Sequence, residues 1–122
     1  MTKYQSFTEI PVWIKSHQLT LKIYHLTKKF PKEEVYSLTS QIKRSSSSIP
    51  ANIAEGFSKN TTKDLMRFVY NARGSCSETL YHIILSKDLG YIVEAEFNDL
   101  YSECDNIGKQ LSGWLNSLSK RL

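Results

Sequence analysis

Residues 93–118 read VEAEFNDLYSECDNIGKQLSGWLNSL. Their bulky apolar seam is Val93, Phe97, Leu100, Cys104, Ile107, Leu111, Trp114 and Leu118. The steps alternate four and three, which is a heptad kept up along the whole segment. An α-helix holds such a seam on one side only by winding round its neighbours at a period of about 3.5 residues. The pattern predicts a helix from about Val93 to Leu118, crossing its partners at about 20 degrees in a left-handed bundle.

The segments before it carry the same spacing. Residues 62–89 place Leu65, Phe68, Val69, Ala72, Cys76, Leu80 and Ile83 on one face. Thr61 or Thr62 can cap this helix, Asp64 suits its first turn, and Gly90 stops it. Residues 32–58 repeat the spacing with Val35, Leu38, Ile42, Ile49, Ile53 and Phe57. Residues 12–29 do so with Val12, Leu19, Ile23, Leu26 and Phe30, and Pro31 ends them. Short connections make neighbouring helices antiparallel. The expectation for residues 1–122 is one all-α domain, an antiparallel up-down four-helix bundle.

The composition agrees. Apolar residues make up 40%, too many for a disordered chain. The 5 glycines and 3 prolines are too few for a turn-rich β fold. No apolar run approaches the roughly 20 residues that cross a bilayer, and the N-terminus lacks a signal-peptide pattern. The expected setting is cytoplasmic. Cys76 and Cys104 form no C-x-x-C pair and fall on apolar stripes, so they read as small core residues rather than as a disulfide or a reactive thiol.

The stretch SSSSIPANIAEGFSK, residues 45–59, is unusual for a bundle helix. Wound at about 100 degrees per residue, Ile49, Ile53 and Phe57 face the core. Ser47, Ala51, Ala54 and Ser58 form a small-residue stripe nearly opposite, where a second backbone could approach. Between them runs the polar line Ser45, Ser48, Asn52, Glu55, Lys59. Pro50 removes the helical bond to the Ser46 carbonyl, at a cost of about 3 kcal/mol. Serine hydroxyls or water can answer for that loss in a kinked but continuous helix. The alternative is a break with a new helix capped at Ser48 or Asn52. Residues 62–89 show a second stripe too, Met66, Tyr70, Tyr81 and Ile84, with Arg73 and Ser77 between. Surplus apolar faces on two helices point to a homo-oligomer. The plainer reading is that broad faces only fill the bundle.

Several groups of residues match a known family. They are Phe30-Pro31-Lys32-Glu33-Glu34, Gln41-Ile42-Lys43-Arg44-Ser45 and Ser48-Ile49-Pro50-Ala51-Asn52-Ile53-Ala54-Glu55-Gly56-Phe57. Ala72-Arg73-Gly74-Ser75 with Glu78, and Leu89-Gly90-Tyr91, follow. The chain resembles, over most of its length, the four helix bundle proteins encoded in intervening sequences of bacterial 23S ribosomal RNA genes. The Ser45–Ser48 run departs from the family pattern, which commonly has alanine or valine there. The resemblance implies an antiparallel bundle, often a ring-like homopentamer, with no established enzymatic activity. A distantly similar bundle serves diversity-generating retroelements, beside nucleic acid and a reverse transcriptase. The signature positions implied here are Arg44, Pro50, Asn52, Glu55, Gly56, Arg73, Ser75 and Glu78, none with a transferable catalytic role.

Chemistry has little support in the residues. His17, His25 and His82 lack metal-ligand spacing, so no metal or cofactor is expected. No phosphate loop, nucleophile elbow or zinc-protease motif occurs. Asn52, Glu55, Arg73 and Glu78 read as a packing network rather than an active site, with Glu55–Arg73 as the expected pair.

Charge offers more. Residues 1–91 hold 13 Lys/Arg against 7 Asp/Glu, and residues 92–122 hold 3 against 5. Lys15, Lys22 and Lys29 recur every seven residues, about 10.5 Å apart along the axis. Lys43, Arg44, Lys59, Lys63 and Arg67 make a second candidate set. Each set could equally be a solvated face. The leading expectation is a non-enzymatic, homo-oligomeric bundle binding RNA or DNA through basic patches. The other is a protein-interaction scaffold or accessory subunit that binds no nucleic acid.

Overall fold

The computed structural model describes residues 3–122. Four helices carry the chain: α1 is Pro11–Leu26, α2 Leu38–Phe57, α3 Thr62–Asp88 and α4 Glu94–Ser119. Helices adjacent in sequence pack side by side, and α1 meets α4 to close the square. One apolar core runs through all four, with Leu19, Ile23, Ile49, Ile53, Val69, Ile83, Ile107, Leu111 and Leu118 almost wholly shielded from water. Among the described residues, no helix is long and apolar enough to cross a membrane.

Local chemistry sets most of the boundaries. Pro11 opens α1, where its missing N–H would have had no helical partner. The Thr61 hydroxyl accepts from the Asp64 N–H and caps α3. Gly90 ends α3 with φ of +80°, a left-handed conformation that a Cβ resists. Gly90→Ala is expected to lower stability by about 1 kcal/mol, which a thermal melt would read as a drop of roughly 3–5 °C.

Two expected helix starts are displaced. α2 begins at Leu38 rather than near Lys32, because a 3-10 turn at Lys32–Glu34 and a non-helical Ser37 (φ −127°, ψ −110°) intervene. The turn changes the phase, so Val35 points outward, 46% exposed. Val93 is the N-cap of α4 and is 62% exposed, not the first residue of its seam. Glutamates do the capping at both places. Glu34 accepts from the Leu38 N–H at 3.2 Å and from the Tyr91 hydroxyl at 2.7 Å. The Tyr91 hydrogen bond, then the Leu38 amide, hold the Glu34 carboxyl below its usual range. Phe30 packs its ring on Tyr91, with centroids 5.3 Å apart. Glu96 accepts from the Val93 N–H at 3.0 Å.

The serine run is hydrogen-bonded to both neighbouring helices. Ser45 and Ser46 are fully buried. Ser45 Oγ lies 2.9 Å from Thr79 Oγ1 of α3, and the Ser75 hydroxyl donates to Ser48 Oγ at 3.0 Å. Asn52 Nδ2 donates to the Ser48 carbonyl at 2.8 Å. Part of the polar line is therefore a seam between α2 and α3. α2 runs unbroken through Pro50, as a continuous helix would. The freed Ser46 carbonyl finds a donor on another helix: Thr20 Oγ1 of α1 lies 3.0 Å away. The serine hydroxyls turn instead to the carbonyls of Ile42, Lys43 and Arg44.

Cys76 and Cys104 are both buried and unbridged, with their sulfurs 3.6 Å apart. Their burial makes them core thiols, and the hydrogen bond between them raises the Cys104 pKa and lowers that of Cys76. Met66 is also buried, which removes it from the expected outer stripe of α3.

Candidate nucleic-acid interface

The position of each cation depends on which helix lies beside it. α1 packs against α4, and that contact consumes most of the first-helix stripe. Lys22 Nζ lies 2.9 Å from Asp99 Oδ2 and 2.5 Å from Glu103 Oε2. Lys29 Nζ lies 2.6 Å from Glu96 Oε1. The Glu103 and Asp99 carboxylates raise the Lys22 pKa, and Lys29 with the Val93 amide lowers that of Glu96. Lys22 and Lys29 are therefore not free phosphate ligands. Only Lys15 of that stripe has no carboxylate within ion-pair distance among the described residues. The remaining acids of α4 are paired as well, Glu94 with Lys87 at 3.8 Å and Asp105 with Lys109 at 3.1 Å.

Two members of the second set are also engaged. Arg44 pairs with Glu78 of α3 and holds Gln41. Lys43 is half-buried beside α1, with its Nζ 4.7 Å over the Tyr24 ring. The expected Glu55–Arg73 pair does not form. Arg73 faces α4, 3.4 Å from Ser112 Oγ and 5.1 Å over the Tyr70 ring, while Glu55 is exposed. The ion pair between α2 and α3 is Arg44–Glu78 instead, and His82 Nε2 approaches the same carboxylate at 3.3 Å.

What remains is the turn between α2 and α3. Lys59 and Arg67 stand over the Phe68 ring at 5.0 and 4.6 Å. Lys63 lies one turn before Arg67 on α3. None of the three has an ion-pair partner among the described residues, and all three are exposed. The ring supports the cations and leaves their N–H groups free for an oxyanion.

Beside this turn lies an open groove of about 610 Å³. Tyr4, Phe57 and Trp114 line it with Lys3, Lys59 and Arg121, and no Asp or Glu does. Lys3, Tyr4 and Arg121 escape a sequence reading because they come from opposite ends of the chain and meet only once α4 has folded back. Trp114 reads as a seam residue, and only its partial exposure shows the second role.

The small stripe of α2 stays on the outside: Ala51 and Ser58 are exposed, and Ser47 and Ala54 half-buried. Ile14, Leu21 and Tyr24 are exposed on α1, on the side where Lys43 of α2 meets Tyr24. Tyr70, Tyr81 and Ile84 are exposed on α3, on the side where Arg73 reaches α4. Because the helices pack in ring order, these are opposite faces of the bundle.

Comparison with known proteins identifies a family and similar solved structures. A family model described as 23S rRNA-intervening sequence protein matches residues 8–113. A crystal structure from Bacteroides thetaiotaomicron VPI-5482, of a protein of unknown function from the S23 ribosomal protein family, superposes with a TM-score of 0.80. It is 26% identical and covers 86% of this chain and 95% of its own. No curated protein matches.

Proposed function

The chain belongs to the 23S rRNA-intervening sequence protein family, and from that premise we propose that it is a non-enzymatic, homo-oligomeric bundle that binds RNA or DNA at its α2–α3 end. The observation that carries this reading is the cluster Lys59, Lys63 and Arg67, exposed and without carboxylate partners among the described residues. The family description links such chains to 23S rRNA, which makes RNA the first probe. Contacts of this kind go to phosphates, so binding is salt-sensitive and weakly sequence-specific.

Self-association rests on the two apolar faces. A contact that joins the α1–α2 face of one copy to the α3–α4 face of the next is heterologous, and such contacts close into rings when the rotation permits. A homopentamer is one such ring. It would repeat the basic turn around its rim and add the fields together.

Anisotropy of a labelled single-stranded RNA, titrated with salt, tests the ligand. The triple variant Lys59→Gln, Lys63→Gln, Arg67→Gln is expected to reduce the slope of log affinity against log salt by about 2 to 3, near one per lost contact. Lys22→Gln with Lys29→Gln should leave that slope unchanged, because α4 already occupies both lysines. Wild-type protein that binds neither RNA nor DNA at low salt removes the reading. Its rival, a scaffold or accessory subunit without nucleic acid, draws on the same exposed apolar faces. A protein partner displaced by substitutions at Leu21 or Tyr81, in protein that ignores RNA, would favour that rival.

A further inference from the structure

We infer that the groove beside the α2–α3 turn receives an unpaired nucleotide, its base against Trp114 and its phosphates on Lys59 and Arg121. This rests on the nucleic-acid reading above and adds what the basic cluster alone does not supply, a preference for single strands.

Three observations combine. The groove is apolar, with Tyr4, Phe57 and Trp114 in its walls beside Ile10, Val12 and Leu65. It is cationic, with Lys3, Lys59 and Arg121 and no carboxylate. Asp64, in the first turn of α3, does not line it. Its volume of about 610 Å³ suits a single nucleotide rather than a duplex. Aromatic faces stack any base, and neighbouring cations track the backbone, which is how sequence-tolerant single-strand sites are built. Asn60 and Gln110, also in the lining, offer amides to a base edge. An aliphatic peptide would leave the three cations unmatched, and an acidic one would leave the indole unused. Lys59 belongs both to the groove and to the basic turn, so a strand held on the turn already lies at the mouth of the groove.

The chain has two tryptophans, and Trp13 packs against Phe7 and His17 and does not line the groove. Trp13→Phe therefore leaves Trp114 as the reporter. Three labelled probes of equal length are compared: a single-stranded RNA, its abasic counterpart and a fully paired duplex. All three are expected to raise anisotropy, and only the strand with unpaired bases is expected to quench Trp114. That strand should bind about tenfold more tightly than the abasic one. Trp114→Leu should erase the difference without changing affinity for the abasic strand. Arg121 is exposed near the end of the chain, so Arg121→Gln leaves the fold alone and should weaken the quench. Equal affinities for all probes with no quench overturn the inference and leave the charge reading standing. Failure of every probe to bind overturns both.

Discussion

Gly56→Val is expected to lower the free energy of unfolding by more than about 3 kcal/mol, at or beyond the upper end of ordinary overpacking. Gly56 is buried where α2 crosses α3. A Cβ there would lie 2.9 Å from Phe68 Cβ and 3.1 Å from Leu65 Cδ1. The first contact is the severe one, because Phe68 Cβ is anchored to the α3 backbone and cannot rotate away. The helices would have to part, and the seam of Ser45, Ser48, Ser75 and Thr79 would open with them. Gly56→Ala should cost about 2 kcal/mol, since alanine's better helix propensity offsets about 1 kcal/mol of the strain. The internal control is Gly74→Ala on α3, where a Cβ meets nothing within 4 Å. That change should stabilise by about 0.5 to 1 kcal/mol. Chemical denaturation of the three variants decides the matter. If Gly56→Ala were to stabilise as Gly74→Ala does, the close crossing of α2 and α3 would be wrong.

The parts of the fold that were legible depend on local chemistry. The α4 heptad, the Thr61 cap and Gly90 each act within one or two turns, and their neighbours in sequence are their neighbours in space; α1, by contrast, ends at Leu26 and passes into a 3-10 turn at Thr27–Lys29 before it reaches Pro31. Val35 and Val93 were misread because periodicity fixes a phase but not where the phase begins. A 3-10 turn in one case and an N-cap in the other set it differently. The partners of the serine run were not legible for another reason: Ser45 and Ser46 are buried against hydroxyls of α1 and α3 that lie far off in sequence. The family was legible because its motif residues have structural tasks: Gly56 at the crossing, Arg44 with Glu78, Asn52 and Ser75 through Ser48, Glu34 and Phe30 with Tyr91.

The candidate site was less legible, since charge along a chain does not say which charges cancel. Lys22 and Lys29 look as free in sequence as Lys59 and Lys63. Only the packing of α1 on α4 separates them, by setting Asp99, Glu103 and Glu96 opposite the first pair. The excess of positive charge in residues 1–91 is thus shifted toward the α2–α3 end. The groove depends on Lys3 and Arg121, which no spacing rule connects.

Thr20→Val is expected to destabilise the protein by about 2 kcal/mol, and Pro50→Ala to abolish most of that penalty. Pro50 cannot donate to the Ser46 carbonyl, so Thr20 Oγ1, 3.0 Å away on α1, is its donor. The same hydroxyl lies 2.9 Å from the Ser16 carbonyl, but that oxygen already has the helical N–H of Thr20. Valine keeps the shape of threonine and removes the hydroxyl, leaving a buried carbonyl without a partner at a cost of about 1 to 3 kcal/mol. Pro50→Ala restores the helical N–H to Ser46. By itself it should stabilise by about 1 kcal/mol: about 3 from relieving the helix, less about 0.8 per buried methylene lost and about 0.5 for a freer unfolded chain. With the N–H back, Thr20→Val should cost less than about 0.5 kcal/mol, a coupling near 1.5 kcal/mol for side chains on different helices. Denaturant unfolding of the four proteins in this cycle measures it. Additive effects would mean that the Thr20 hydroxyl serves its own helix, and that Pro50 persists in α2 without help from α1.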